Sequence, residues 1–290
     1  MLAAAASAQQ PAPFNAGFCA DATRATWTIC DTSAALDARA ADIVSRLSLV
    51  DKINLTVMGP VNVSSVPGLD AYSWWSEATH GVDGVTGTDH FVPATNFPLP
   101  ISTSCAFNRS LWAAVGNQIG REARAEQNTG RPGNSFWAPV INILRDPRWG
   151  RNLECAGEDP FASGEYAVNF VKGFQTAKEA PYPLQASATC KHFVANEYEG
   201  HRYGMDVILS AQDLADSYLP PFQACVEEGK VSGIMCAQVR SAIPPPARSF
   251  PHILRPRLTR GISVFLAPDQ SSWAFWQLPP RPRPSADTIR

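Results

Sequence analysis

Apolar residues recur at helical spacing in four segments of the chain, and these segments alternate with short apolar runs. Leu36, Ala40, Ile43 and Leu47, for example, would share one helix face. The spacing predicts helices over 34–50, 109–126, 160–178 and 210–229, the last one interrupted at Pro220-Pro221. Runs rich in β-branched and aromatic residues predict strands over 136–144, 186–193 and 231–236.

This alternation is typical of parallel βαβ units. No glycine-rich phosphate loop follows any of the predicted strands, which argues against a nucleotide-binding doubly wound sheet. The pattern therefore favours an α/β fold of the (β/α)8 or TIM-barrel type. In such a barrel the functional residues lie at the carboxyl ends of the strands.

Composition narrows the possible partners. The 290 residues carry 24 basic and 26 acidic side chains without a long basic run, so we expect no nucleic-acid partner. No run approaches the roughly 18 apolar residues of a membrane span, so we expect no membrane partner either. Residues 1–13 resemble the remnant of a signal peptide with its leader, and Asn54, Asn62 and Asn108 stand in glycosylation sequons. Together these features predict a secreted glycoprotein.

Seven cysteines are too few for a disulfide scaffold, and they lack the paired spacing of a structural zinc site. Cys19 and Cys30 flank a short polar segment ahead of the first predicted helix. They form either a local disulfide or two buried thiols, and the sequence leaves both alternatives open.

The last part of the chain differs in composition from the rest. From Val239 to Arg290 there are ten of the 25 prolines and eight arginines, but only two acidic residues. Such a break rarely occurs within one folded domain. We therefore expect residues 238–290 to form an irregular, disordered tail.

Three polar clusters could carry chemistry. Residues 72–81 bring Trp74, Trp75 and Glu77 together, a combination that suits stacking on a sugar ring and hydrogen bonding to its hydroxyls, although core packing of the indoles is the alternative. Residues 137–160 lead from a predicted strand into a loop dense in Arg and acid, whose guanidinium groups either hold substrate hydroxyls or pair with the acids of the loop. Residues 188–201 contain the pair Lys191-His192, and a metal site made of His192, Glu197 and His201 is a further alternative, although its spacing matches no zinc motif.

Four stretches in this order, YSWWSEATHGV, FWAPVINILRDPRWGRNLECAGEDP, ATCKHFVANEYEG and GKVSGIMCA, resemble the N-terminal barrel of glycoside hydrolase family 3 over residues 14–237. They look most like its β-xylosidase and α-arabinofuranosidase branch. The resemblance implies an oligosaccharide substrate and no cofactor. It also implies sugar-binding roles for Glu77, Arg151, Lys191 and His192, with Trp75 and Trp137 as walls of the pocket.

Family members act by retention, which needs a carboxylate nucleophile and a second carboxylic acid. Neither is recognisable here. The resemblance ends at Ala237, and Gln238 stands where the family has a substrate-contacting Tyr. An end inside a strand favours a shifted reading frame or a retained intron over a natural linker. Asp269 in the tail has the wrong context for a nucleophile, and we expect it to be a solvated loop residue.

The sequence thus predicts a retaining exo-β-glycosidase of the β-xylosidase type, acting on xylan-derived oligosaccharides, in a chain that lacks both catalytic carboxyl groups. The alternatives are a non-catalytic sugar-binding remnant or pseudogene product, a β-glucosidase, and a metal-dependent hydrolase. They differ in whether an aryl β-xyloside is hydrolysed and whether a chelator abolishes activity.

Overall fold

The computed structural model describes residues 17–56, 61–69, 72–83, 94–176, 184–200, 202–238, 240–242, 263–266 and 274–276. The helices are α1 (Leu36–Arg46), α2 (Leu49–Asn54), α3 (Pro100–Ser104), α4 (Arg109–Asn128), α5 (Pro160–Gln175), α6 (Ala211–Asp213) and α7 (Pro220–Glu227). The strands are β1 (Ser135–Phe136), β2 (Ser187–Phe193), β3 (Asp206–Ile208), β4 (Gly233–Cys236), β5 (Arg240–Ala242), β6 (Ser263–Leu266) and β7 (Ala274–Trp276).

Capping side chains explain where several helices begin. The Asn108 side chain accepts a hydrogen bond from the Leu111 backbone at the start of α4, and Asp159 caps α5 in the same way. The helix predicted over 34–50 is wrong in one respect, because it is split into α1 and α2. The break occurs at Ser48, whose side chain accepts from the Asp51 backbone and starts a new helix.

The helix predicted over 210–229 is also divided. It consists of α6, a π-helical turn over Leu214–Tyr218, and α7. Two prolines stand at the start of α7, where the missing backbone N–H groups leave no helical hydrogen bond unmade. The interruption expected at Pro220-Pro221 is therefore a helix start.

Parallel strands connected by helices confirm the α/β class. The main sheet has the order β1-β2-β4-β6-β7, in which α5 connects β1 to β2 and α7 lies between β2 and β4. Neighbours are parallel except for the antiparallel pair β6 and β7. A second parallel sheet pairs β3 with β5.

The described strands do not close into the predicted barrel. Closure requires two neighbours for every strand, whereas in the described part of the chain β1 and β7 each have one. The strand predicted over 136–144 is also shorter, since its ladder covers Ser135–Phe136 and resumes only as a bridge between Val140 and Lys191. Pro139, which has no N–H to donate, stands between these two pairings.

Most of the tail predicted to be disordered over 238–290 lies outside the described residues, but its described parts contain strands. It contributes β5, β6 and β7, and β6 pairs with β4 in parallel register, with Val264 opposite Ile234. The stretches Ser-Val-Phe-Leu and Ala-Phe-Trp are rich in strand-forming residues. The edge of β4 supplies the partner of β6, and β6 in turn pairs with β7.

The main core lies between the sheet and helices α4, α5 and α7. Phe170 and Phe174 stack along α5, and Phe174 meets Phe136 of β1 edge to face with 5.5 Å between ring centroids. A smaller cluster near the N-terminus is built on Phe18, Leu47, Val63 and Val66.

Two disulfides occur in the described residues. Cys19 is bonded to Cys30, with 5.5 Å between their Cα atoms, beside the smaller cluster. Cys190 of β2 is bonded to Cys225 of α7. The second bond has no counterpart in the sequence-based prediction.

Candidate functional site

The segment that carries Glu77 is held against the carboxyl end of β1. The backbone N–H of Trp137 donates to the carbonyl oxygen of Ser76 at 2.8 Å. The guanidinium of Arg131 donates to the Ser76 hydroxyl at 3.0 Å, and Arg131 itself forms a buried ion pair with Glu126. These contacts fix the backbone next to Glu77 relative to the sheet.

Lys191 of β2 forms an ion pair with Glu77. Its Nζ lies 2.6 Å from Glu77 Oε2, and the lysine side chain is 2 % exposed whereas that of Glu77 is 28 % exposed. Burial raises the pKa of Glu77 and lowers that of Lys191, and the pair partly offsets both effects. The carboxylate therefore faces solvent while the ammonium lies behind it.

Arg151 is held by two partners. Its Nε and Nη2 donate to the two carboxylate oxygens of Glu154 at 2.8 and 2.7 Å, and its Nη1 lies 3.2 Å from His192 Nε2. The bidentate pair fixes the plane of the guanidinium. Arg151 also interacts electrostatically with Glu77, so the two ion pairs belong to one cluster.

Behind Arg151, His192 is bonded to a residue that the sequence did not single out. Asn142 Oδ1 accepts from the His192 backbone N–H at 2.8 Å and lies 3.1 Å from the ring Nδ1. The Asn142 amide in turn donates to Glu197 at 2.9 Å. A polar residue inside the apolar run Val-Ile-Asn-Ile-Leu was the available signal, because a buried amide must find hydrogen-bond partners.

Burial and charge set the protonation of these inner groups. Burial, followed by the positive charges of Lys191 and Arg151, lowers the pKa of His192 well below its usual value, so the ring is neutral. Burial also raises the pKa of Glu197 to about 7, against the opposing effects of the Asn142 hydrogen bond and of Arg145.

The two predicted wall residues differ in exposure. Trp75 is 42 % exposed, whereas Trp137 is 2 % exposed and packs against Met235 and Trp74. The two indoles lie 6.0 Å apart between centroids at a tilt of 52°. An exposed indole offers a flat apolar face to a ligand, and the buried Trp137 packs against the Trp75 ring.

The structure thus brings Glu77, Arg151, Lys191 and His192 into one cluster. The alternative metal site of His192, Glu197 and His201 falls partly outside the described residues, among which no group of three or more His, Cys, Asp or Glu side chains could hold a metal ion. His201, its third member, lies outside the described residues, as does Asp269.

The remaining predicted positions lie on the surface. The sequon residues Asn54, Asn62 and Asn108 are all exposed. Within the described ranges, no helix has the length and apolar character needed to cross a bilayer.

Comparisons with known proteins point to one family. The model of the glycosyl hydrolase family 3 N terminal domain matches residues 77–263. The chain is 43 % identical over 221 residues to β-xylosidase/α-L-arabinofuranosidase 1 of Medicago sativa subsp. varia, covering 73 % of this chain and 28 % of that protein.

Two solved structures share the fold. One is a family 3 exo-β-xylosidase in complex with a xylobiose aziridine probe, with a TM-score of 0.71 and 32 % identity over 79 % of this chain and 31 % of that one. The other is β-glucosidase 3B from Thermotoga neapolitana in complex with glucose, with a TM-score of 0.57 and 31 % identity over 69 % of this chain and 29 % of that one. The chain spans less than a third of the length of these relatives.

Proposed function

We propose that this chain, which belongs to glycosyl hydrolase family 3, forms the sugar-binding part of a secreted, retaining exo-β-glycosidase of the β-xylosidase type. Its substrate class is xylan-derived oligosaccharide. The observation that carries the proposal is that the Glu77–Lys191 and Arg151–Glu154 pairs form one cluster, with the exposed Trp75 two residues before Glu77 in the chain. Glu77 offers acceptors, Arg151 offers donors and the indole offers an apolar face, which together suit a pyranose ring.

We further propose that this chain by itself does not hydrolyse glycosides. Retention needs a carboxylate that attacks the anomeric carbon and a second carboxylic acid that protonates the leaving oxygen. In the described part of the cluster, Glu77 is bonded to Lys191, Glu154 to Arg151 and Glu197 to Asn142. Each of these carboxyl groups is thus engaged with another side chain of the site, and the proposal gives them positioning and binding roles.

Calorimetric titration of the full chain with xylose, xylobiose and glucose tests the sugar-binding role. Xylose and xylobiose should bind, and Arg151→Ala should weaken binding about 10- to 100-fold, as expected for loss of a charge-assisted hydrogen bond. Arg148→Ala is a matched control, because Arg148 lies only three residues from Arg151 but is exposed and pairs with Asp146. Equal effects of the two substitutions would contradict the assignment.

Each alternative function predicts a different result in sugar titration or in a hydrolysis assay with an aryl β-xyloside. Tighter binding of glucose than of xylose would favour the β-glucosidase, which the likeness to the glucose complex supports. Binding of xylose without hydrolysis of an aryl β-xyloside is the result expected for this chain. Hydrolysis that a chelator abolishes would support a metal-dependent hydrolase.

A further inference from the structure

Asn142 lies at the centre of a buried hydrogen-bond network behind the candidate sugar site. Its side-chain amide contacts His192 on one side and Glu197 on the other, and all three residues are less than a tenth exposed. The network continues through His192 to Arg151. Among the predicted sugar-binding residues, Asn142 is hydrogen-bonded to His192, and His192 links it to Arg151.

The contacts of Asn142 determine which way its amide is oriented. Nδ2 lies 3.2 Å from the His192 carbonyl oxygen and 2.9 Å from Glu197 Oε1, two acceptors, so this atom is the donor. Oδ1 faces the His192 backbone N–H at 2.8 Å. If the amide were flipped, its NH2 group would face the His192 backbone N–H, and its oxygen would face the His192 carbonyl oxygen.

This orientation in turn determines the tautomer of His192. Oδ1 of Asn142 can only accept, and it lies 3.1 Å from the ring Nδ1, so Nδ1 carries the proton. At the other end of the ring, Arg151 Nη1 lies 3.2 Å from Nε2. A guanidinium can only donate, so Nε2 must carry a lone pair.

We propose that Asn142 is a positioning residue that holds His192 as a neutral ring with its proton on Nδ1, so that Nε2 accepts a hydrogen bond from Arg151 and orients it. Its relevance to sugar binding rests on the function proposed above. Glu154 and His192 engage three of the five N–H bonds of the guanidinium. One N–H remains on each terminal nitrogen, and in the proposed function these two are the donors available to the hydroxyl oxygens of the sugar.

The tautomer can be measured directly on the full ¹⁵N-labelled chain without any ligand. Long-range ¹H–¹⁵N spectra distinguish a protonated from an unprotonated ring nitrogen, and His192→Gln identifies the signal of this ring among the five histidines. At pH 7 we expect a protonated Nδ1 and an unprotonated Nε2. A ring protonated on Nε2, or on both nitrogens, would overturn the inference.

Substitution then tests whether Asn142 is the cause. Asn142→Ala should release the tautomer and weaken xylose binding about tenfold. Asn142→Asp keeps the shape and the acceptor beside Nδ1 but replaces the group that donates to Glu197. At a pH where Glu197 holds a proton and can donate to the new carboxylate, the added negative charge should raise the pKa of His192 by about one unit or more. Asn134→Ala is the matched control, because Asn134 is a buried asparagine that donates to Gln185 rather than to His192.

The outcomes separate this inference from the proposed function. A wild-type chain that shows the expected tautomer but does not bind xylose would refute the sugar-binding role and leave the action of Asn142 on His192 supported. An unchanged tautomer and unchanged xylose affinity in Asn142→Ala would refute the positioning role. If Asn142→Ala does not fold, the wild-type tautomer and the Asn142→Asp titration decide the question.

Discussion

At the scale of single residues, charged groups of the site are largely removed from water and form ion pairs with one another instead. Lys191 is almost fully buried, and its partner Glu77 neutralises it at 2.6 Å. Such a pair contributes little net stability, but removal of one partner leaves an unpaired buried charge that commonly costs about 3–5 kcal/mol. The same arrangement keeps an acceptor and a donor at the surface, where Glu77 and Arg151 meet solvent.

Glu77→Gln should therefore be more damaging than its small change in shape suggests. It removes the negative charge opposite Lys191, so we expect the free energy of unfolding to fall by about 3 kcal/mol and xylose affinity to fall with it. Urea unfolding and calorimetric titration measure the two effects. Glu165→Gln is a control, because Glu165 pairs with the mostly exposed Arg109, and a comparable loss there would contradict the argument.

Glu197 should make stability depend on pH. Burial raises its pKa to about 7 in the folded chain, from an ordinary value of 4.5. Between these values the folded state retains a proton that the unfolded state has released, so stability falls as pH rises through this window, by about 3 kcal/mol in total. Below the window the effect is absent.

The comparison of Glu197→Gln with the wild-type chain isolates this effect. The amide does not titrate and can still accept from Asn142. From pH 4.5 to pH 7.5, urea unfolding should show the variant gaining about 3 kcal/mol relative to the wild type. Parallel pH profiles for the two proteins would contradict the assigned pKa.

At the scale of elements, α4 and α5 approach each other closely because glycines face the contact. A Cβ at Gly173 would lie well under 3.0 Å from the Ala113 carbonyl oxygen, and one at Gly120 would meet the Phe174 carbonyl oxygen in the same way. Backbone atoms cannot move aside as a flexible side chain can. The spacing of the two helices, and with it the support of β1 and β2, depends on these glycines.

Gly173→Ala should destabilise the chain by about 1–3 kcal/mol, even though alanine is the better helix former. Gly164→Ala in the same helix is the matched control. Its Cβ would lie 3.1 Å from the Ala224 side chain, so it should cost less than about 1 kcal/mol. Thermal unfolding of both variants checks this order, and a reversed order would show that the helix contact is looser than described.

The Cys190–Cys225 disulfide ties β2 to α7 next to the Lys191-His192 pair. It closes a loop with a sequence separation of 35 residues, for which the loss of chain entropy in the unfolded state corresponds to about 4 kcal/mol. Cys225→Ala should lower the melting temperature markedly, whereas replacement of the exposed free Cys105 should not. Equal melting temperatures would indicate that the bond is absent in solution.

The elements also show how far sequence reasoning reaches. Helices α4 and α5 were predicted to within a few residues, because their apolar spacing and their capping residues are local signals. The strands in the tail were missed, since β6 depends on a partner, β4, that is distant in sequence. Asn142 was missed for a similar reason, because its partners His192 and Glu197 come from another strand and loop.

At the scale of the whole molecule, the proposed function assigns sugar binding to this chain but not catalysis. The contacts proposed for Arg151 and Glu77 would hold the ground state of a sugar as well as its transition state, so they would lower the dissociation constant without raising the rate. Rate acceleration by retention needs the two catalytic carboxyl groups in addition. The chain spans less than a third of the length of the relatives compared above.

We therefore expect the full chain to bind xylose but to leave aryl β-xylosides, β-glucosides and α-arabinofuranosides uncleaved. Loss of a nucleophile or a general acid alone lowers rates by several orders of magnitude. Turnover should thus lie far below the roughly 1 to 1000 per second common among enzymes. A chromogenic assay beside the calorimetric titration measures both properties on one preparation. Turnover within about a hundredfold of that range, abolished by Asp269→Ala, would show that the tail supplies a nucleophile and that the proposed division between binding and catalysis is wrong.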